Sequence, residues 1–229
     1  MSKSRGNVVN PDDIVKDWGA DALRLYEMFM GPLTASKPWQ TAGITGVYRF
    51  LKRVQRLVLQ ENGELSDKLI DAPMSDAFTR VLHKTVKKVG EDSQALQFNT
   101  AIAAMMELVN AAYKEPHFSR QAAEALVLLL APYAPHLAEE LWQKLGHGES
   151  LAYAPWPSYD PALTEDDQIT ISVQVAGKLR GTLQVSASSS KEDIIAAAKV
   201  LDSVQRHLEG KTLVKEIFVP GKIVNFVVR

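Results

Sequence analysis

At 229 residues, with 46% hydrophobic content, the chain can bury a core in one or two domains, and a net charge of −1 excludes a globally basic nucleic-acid binder. No apolar run reaches the roughly 18 residues that span a bilayer; Ala122 to Ala131 comes nearest, and no signal-peptide pattern opens the chain. The lack of cysteine excludes disulfides and thiolate metal sites, and cytoplasm is the default compartment.

The N-terminal residues carry the first chemical signal. Ser2 and Ser4 offer hydroxyl donors, Lys3 is a compact cation suited to a polyphosphate, and Gly6 permits a tight turn. On these residues alone a disordered tail is the commoner reading. Asn10 is a good N-cap, Pro11 suits the first helical position, and Asp12 and Asp13 favour the positive end of the helix dipole. Gly19 ends this helix, a second begins at Ala20, and Gly31-Pro32 breaks it.

From 41 to 147 the pattern is helical and predicts a bundle. Ile44, Val47, Tyr48, Leu51, Val54 and Val58 form one apolar stripe. Arg49, Lys52, Arg53 and Arg56 recur at i, i+3, i+4 and i+7 on another face. Ser75 caps the next helix, with Phe78, Val81, Leu82, Val86 and Val89 inward and Arg80, Lys84, Lys87 and Lys88 outward. Asn99 is the expected cap of a third and Ser119 of a fourth. Pro132 stops the fourth, and Pro135 opens a last helix closed by Gly146.

Residues 148–167 hold Pro155-Trp156-Pro157 and Pro161 and read as a linker. Beyond it the period changes to alternation. Ile169, Ile171, Val173 and Val175 mark one strand, a turn follows at Gly177, and Leu179 to Val185 mark a second. Ser189-Lys191-Glu192 offers a capping box for one helix with Ile194, Ala198, Leu201, Val204 and Leu208 inward. Leu213–Val219 and Ile223–Val228 pair around Pro220-Gly221, a type II turn signal. The expected fold is therefore an α+β multidomain chain: a helical bundle followed by a small ββαββ domain over 168–229. That last stretch carries nine Lys/Arg against five Asp/Glu.

Met1-Ser2-Lys3-Ser4 resembles the Lys-Met-Ser-Lys-Ser nucleotide loop of class I aminoacyl-tRNA synthetases. Ser4-Arg5-Gly6-Asn7-Val8-Val9-Asn10-Pro11-Asp12-Asp13 is similar to the leucyl-tRNA synthetase family; valyl and isoleucyl relatives usually carry Leu where Arg5 stands. Trp39, Gly43, Gly46, the run Arg49–Val54 and Val219-Pro220-Gly221-Lys222 extend the likeness across nearly the whole chain. Leu130-Ala131-Pro132-Tyr133-Ala134-Pro135-His136 resembles the family's anticodon-binding bundle. The resemblance implies that residues 1–40 close a catalytic domain, and that Lys3, flanked by Ser2 and Ser4, binds ATP phosphates while an aminoacyl-adenylate forms. It implies leucine ligation to tRNA, with ATP as substrate, magnesium accompanying it in the full-length enzyme, and no cofactor held by this fragment alone. The expected partners are leucine tRNA and the catalytic and editing domains.

Candidate tRNA contacts are Arg49, Lys52, Arg53 and Arg56 on the bundle and Lys178, Arg180, Lys211, Lys215 and Lys222 beyond it; for each, a solvated surface is the competing reading. Trp39, Trp142 and Trp156 could stack on bases, with packing the commoner use. The five histidines form no metal or triad pattern. No His-x-Gly-His element and no βαβ series is present, and the chain opens inside the loop signature. It is therefore expected to belong to a longer protein and to make no aminoacyl-adenylate alone. Two alternatives stay open: a stand-alone, non-catalytic RNA-binding module, and the equivalent part of a valyl or isoleucyl enzyme.

Overall fold

The computed structural model describes residues 8–165, 168–186 and 189–229; Ser2, Lys3 and Ser4 lie outside the described residues. Two compact units divide between residues 164 and 165.

In the first unit, Asn10 opens α1 (Pro11–Trp18) by accepting from the Asp12 amide at 3.2 Å. Gly19, at φ 89°, makes the corner into α2 (Ala20–Phe29), where the left-handed backbone suits glycine. Helix α3 (Thr41–Val58) buries Ile44, Val47, Leu51, Val54 and Val58 as the stripe predicts. Phe50 and Leu57 are buried as well, because α3 packs against α2, α5 (Phe98–Ala112) and α7 (Pro135–Lys144). Tyr48 is only half-buried, edge-on to Trp18 at 5.3 Å.

Ser75 caps α4 (Asp76–Gln94) by accepting from the Phe78 amide at 3.1 Å, and Ser119 caps α6 (Arg120–Leu130) the same way through Ala122. The expected cap of α5 is corrected. Gln97 holds the cap position, and Asn99 lies inside the first turn. The α4–α5 corner is organised instead by buried Asp92, which accepts from Thr100 Oγ1 at 2.5 Å and from Lys88 Nζ at 2.9 Å. A parallel ladder unforeseen in the sequence, β1 (Leu69–Ile70) with β2 (Phe118–Ser119), ties the segment after α3 to the α5–α6 connection.

The core of this unit is a continuous apolar cluster running from Ile14 to Leu151. Tyr133 is fully buried within it, edge-on to Phe98, and its hydroxyl lies 2.6 Å from Ser93 Oγ. Burial pushes the phenol pKa up; the Ser93 hydrogen bond opposes this and Asp92 adds to it. Because the folded-state pKa is raised, the stability contributed by Tyr133 is complete below its unfolded value near 10 and is lost as pH climbs through the folded one. Urea midpoints should therefore fall more steeply from pH 9 to pH 11 in the wild type than in Tyr133→Phe. Equal slopes would mean that the phenol does not govern this pH range.

Residues 148–164, expected to form most of a linker, belong to this unit. A 3₁₀ turn at Leu151–Tyr153 is fastened by the Leu151 amide on Glu139 Oε2 at 3.0 Å. A second, at Pro161–Leu163, follows the Asp160 amide, which donates to His83 Nδ1 at 2.9 Å.

The second unit contains β3 (Gln168–Val175), β4 (Lys178–Ser186), α8 (Lys191–Lys199), α9 (Asp202–Leu208), β5 (Leu213–Val219) and β6 (Ile223–Val228). Its sheet order is β4-β3-β6-β5, with antiparallel outer pairs and a parallel centre. The expected single helix is two. The inward positions 194, 198, 201, 204 and 208 mimic one continuous period, yet Leu201 is extended at φ −63° and ψ 124°. There Leu201 sits close to Gly181, where an added Cβ would meet Leu201 Cδ1 at 3.5 Å and Ser203 Oγ at 3.0 Å. Ser190, one residue after the predicted cap, accepts from the Asp193 amide at 3.1 Å.

Candidate nucleic-acid interface

Helical periodicity places the four basic residues of α3 on one side, but packing divides them. Arg49, Lys52 and Arg56 are exposed. Lys52 Nζ lies 3.2 Å from Gln55 Oε1 and 5.6 Å over the Tyr48 ring. Arg53 is committed to the fold: its guanidinium donates to Asn110 Oδ1 at 2.6 Å and stacks 4.6 Å over the Tyr113 ring. The Tyr113 hydroxyl returns a hydrogen bond to the Arg53 carbonyl at 3.0 Å.

In the second unit, strand alternation sorts the basic residues. Ile171, Val173, Val175, Val224 and Phe226 point to the helices and make the core. Lys178 pairs with Val175 and so falls on the helix side by register. Lys215 pairs with Val227, one residue beyond core Phe226, and falls on the helix-free face. Arg180 occupies the β-bulge opposite Val173/Gln174, and its Nε is buried with no hydrogen-bond partner among the described residues. Such an unsatisfied donor is uncommon and marks a place where a ligand acceptor would be favoured. Lys222 stands in the β5–β6 turn, where its carbonyl accepts from Ser172. Lys211 lies at the opposite end, beside the Thr212–Arg229 backbone pair.

The helix-free face of the sheet also presents Ser172 and Gln174 of β3, Thr182 and Gln184 of β4, and Asn225 of β6, alongside the exposed apolar Leu179, Ile217 and Val219. Its described residues include no carboxylate. Glu216 faces the helices, where Lys199 Nζ holds it at 2.5 Å, and the remaining described acids of the strand–helix–strand region, Glu192, Asp193, Asp202 and Glu209, lie on or beside α8 and α9. Polar groups with cations of one sign suit phosphate and sugar contacts. Sequence reasoning named the cations but missed this sorting, because the bulge at Arg180 has no local signal.

The tryptophans mainly pack. Trp39 lies edge-on to Tyr26 at 4.8 Å and donates to Thr41 Oγ1, and Trp142 stacks on His147 at 3.6 Å; Trp156 stays 43% exposed. The described histidines hold structural contacts, such as His147 with Glu124 at 3.0 Å. Among the described residues no His/Asp/Glu group could hold a metal, and no helix is long and apolar enough to cross a membrane.

Comparison with known proteins defines the class. The family model described as the anticodon-binding domain of tRNA ligase matches residues 76–196, more than half the chain, and the chain belongs to that family. A second model, tRNA synthetases class I (I, L, M and V), matches residues 1–38. Within the family the likeness is to leucine–tRNA ligases. The ligase of Prosthecochloris aestuarii is 57% identical over 229 residues, covering 100% of this chain and 28% of that protein. Leucine–tRNA ligase 1 of Rhizobium johnstonii is 54% identical over 228 residues, covering 100% of this chain and 27% of that protein. The crystal structure of the Agrobacterium radiobacter K84 LeuRS in a ternary complex with tRNA and LeuAMS aligns with a TM-score of 0.77 at 30% identity, covering 100% of this chain and 31% of that one. The chain thus spans little more than a quarter of the curated relatives it matches.

Proposed function

We propose that this chain is the tRNA-positioning part of a cytoplasmic leucine–tRNA ligase, which joins leucine to its tRNA through an aminoacyl-adenylate made from ATP. The observation that carries the reading is the helix-free sheet face with Lys215 and no carboxylate among its described residues, and Arg180 at the bulge of the neighbouring strand, in a chain of the anticodon-binding family. Arg180 and Lys215 hold tRNA phosphates there, with Lys222, Lys211 and Lys178 at the margins; Arg49, Lys52 and Arg56 offer a second contact on α3. Lys3, between Ser2 and Ser4, carries the nucleotide-loop role by its match to the signature: it stabilises the charge that develops on the ATP phosphates during adenylate formation. Magnesium enters with ATP.

Titration of the chain with leucine tRNA and with valine tRNA, at several salt concentrations, tests the proposal. Preferred binding of leucine tRNA that weakens with salt is expected, because phosphate neutralisation releases counterions. No binding at low salt would overturn it. The isolated chain should also show no leucine-dependent pyrophosphate exchange; exchange would overturn the assignment of adenylate chemistry to the parts of the relatives that this chain does not cover.

A further inference from the structure

The first unit holds an apolar cavity of about 590 Å³, lined by the end of α6, the start of α7 and the segment that follows α7. Its size falls within the roughly 300–1,000 Å³ of small-molecule sites. Leu128, Pro132, Pro135 and Leu151 supply much of its wall, and Trp156 adds a ring that stays 43% exposed. The indole is seated on α4, with Nε1 3.3 Å from where a Cβ on Gly90 would stand.

The polar groups of the lining are mostly acceptors, for a reason written in the sequence. A helical carbonyl is normally met by the amide four residues on. For Leu128 and Ala131 that residue is Pro132 or Pro135, which has no amide hydrogen. Leu128 keeps a 3.4 Å contact from the Ala131 amide, shared with Val127 at 3.1 Å, and the Ala131 carbonyl has no partner among the described residues. Both stand at the negative end of the α6 dipole. Glu139 adds a formal charge: its Oε2 accepts from the Leu151 amide at 3.0 Å, which fixes the carboxylate, while Oε1 has no partner among the described residues. His136 Nδ1 donates to Asp21 at 2.8 Å, so the neutral ring keeps an acceptor at Nε2. Ser150 and Trp156 supply side-chain donors, and neither is charged. No lysine or arginine lines the cavity; Arg24 meets the Pro132 carbonyl from α2 at 3.0 Å without joining the lining.

We propose that this cavity binds a small apolar ammonium compound, its charged head on Glu139 Oε1 and its hydrocarbon or aromatic body against Leu128, Leu151 and the Trp156 ring. An ammonium group brings three donors to acceptors that lack them. The indole face attracts the same positive charge. A ligand carboxylate or phosphate is repelled by Glu139 and by the end of α6. The site uses none of the residues assigned to nucleotide or tRNA contact, so it stands independently of that reading.

The test is fluorine NMR of the 229-residue chain with fluorotryptophan at its four tryptophans, the Trp156 resonance being assigned by Trp156→Phe. At neutral pH phenethylamine, an ammonium ion, should shift that resonance saturably. It should bind about tenfold or more tighter than phenethyl alcohol, and phenylpropionate should leave the resonance unmoved. Glu139→Gln keeps an acceptor for the Leu151 amide and removes the charge. It should weaken phenethylamine binding about tenfold or more, as loss of a charge-assisted hydrogen bond does, and leave the alcohol unchanged. Ala152→Phe, at an exposed position of the lining, fills the cavity and should abolish binding of both. Circular dichroism checks that each variant is folded. No saturable shift with phenethylamine overturns the proposal. Equal affinity for amine and alcohol also overturns it, leaving an apolar pocket without charge preference. A Trp156 resonance that moves with protein concentration but not with amine does the same, by making the cavity an interface between copies of the chain.

Discussion

Asp21→Ala is expected to destabilise the first unit by about 2 kcal/mol, in the upper range for loss of a helix cap. The reason lies at the start of α7. An N-cap side chain normally accepts from the second or third helical amide, but the residue at that position is Ala134, which has no acceptor. Asp21, from the first turn of α2, supplies the acceptor from outside: its carboxylate accepts from the Leu137 amide at 2.7 Å and the His136 amide at 3.3 Å. His136 Nδ1 adds a contact at 2.8 Å. The carboxylate is 12% exposed while His136 is 73% exposed, so the backbone contacts outweigh the side-chain pair. Arg24 of the same helix donates to the Pro132 carbonyl at 3.0 Å, so α2 grips the α6–α7 corner from both sides. Urea unfolding should show a lower midpoint with an unchanged m-value for Asp21→Ala. Asp21→Asn, which keeps an acceptor, should lose less, and His136→Ala less still. A wild-type midpoint in Asp21→Ala would remove the carboxylate as the cap of α7.

That contact also shows what the sequence could disclose. Caps made by a residue two or three positions away, at Asn10, Ser75 and Ser119, are legible because donor and acceptor lie within one turn. The Asp21 cap joins residues 115 and 116 apart, and nothing local distinguishes Asp21 from any acid in a first helical turn. Arg53 repeats the lesson at the candidate site. Its spacing places it with Arg49, Lys52 and Arg56, and only the folded chain brings Asn110 and Tyr113 against it. The break between α8 and α9 was hidden for another reason: the inward residues keep helical spacing across a corner that has no Gly or Pro. The apolar stripe of α3 and the alternation of β3 were readable because each element's burial follows its own period. Which cations share a sheet face was not, since one bulge at Arg180 changes the alternation.

The sharpest consequence of that bulge is a charge experiment on the sheet. Arg180→Ala with Lys215→Ala should weaken leucine tRNA binding about a hundredfold or more, since charge-assisted hydrogen bonds contribute roughly 1.5–3 kcal/mol each. It should also reduce the slope of log K against log salt by about 2, one for each phosphate that no longer meets a cation. Lys178→Ala should move the slope little, because register turns Lys178 toward the helices. Arg53→Ala should act mainly on stability, because its guanidinium is committed to Asn110 and Tyr113. Of the two sheet residues, Arg180 should dominate: its buried Nε has no acceptor among the described residues, so a phosphate oxygen there would satisfy a donor that is already desolvated. Lys215, exposed and flexible, keeps its hydration until the moment of contact and gains less. Equal losses from Lys178→Ala and Lys215→Ala would mean that tRNA senses only the net charge of the unit. A loss confined to Arg180 and Lys215 would mean that it reads the helix-free face and the bulge beside it.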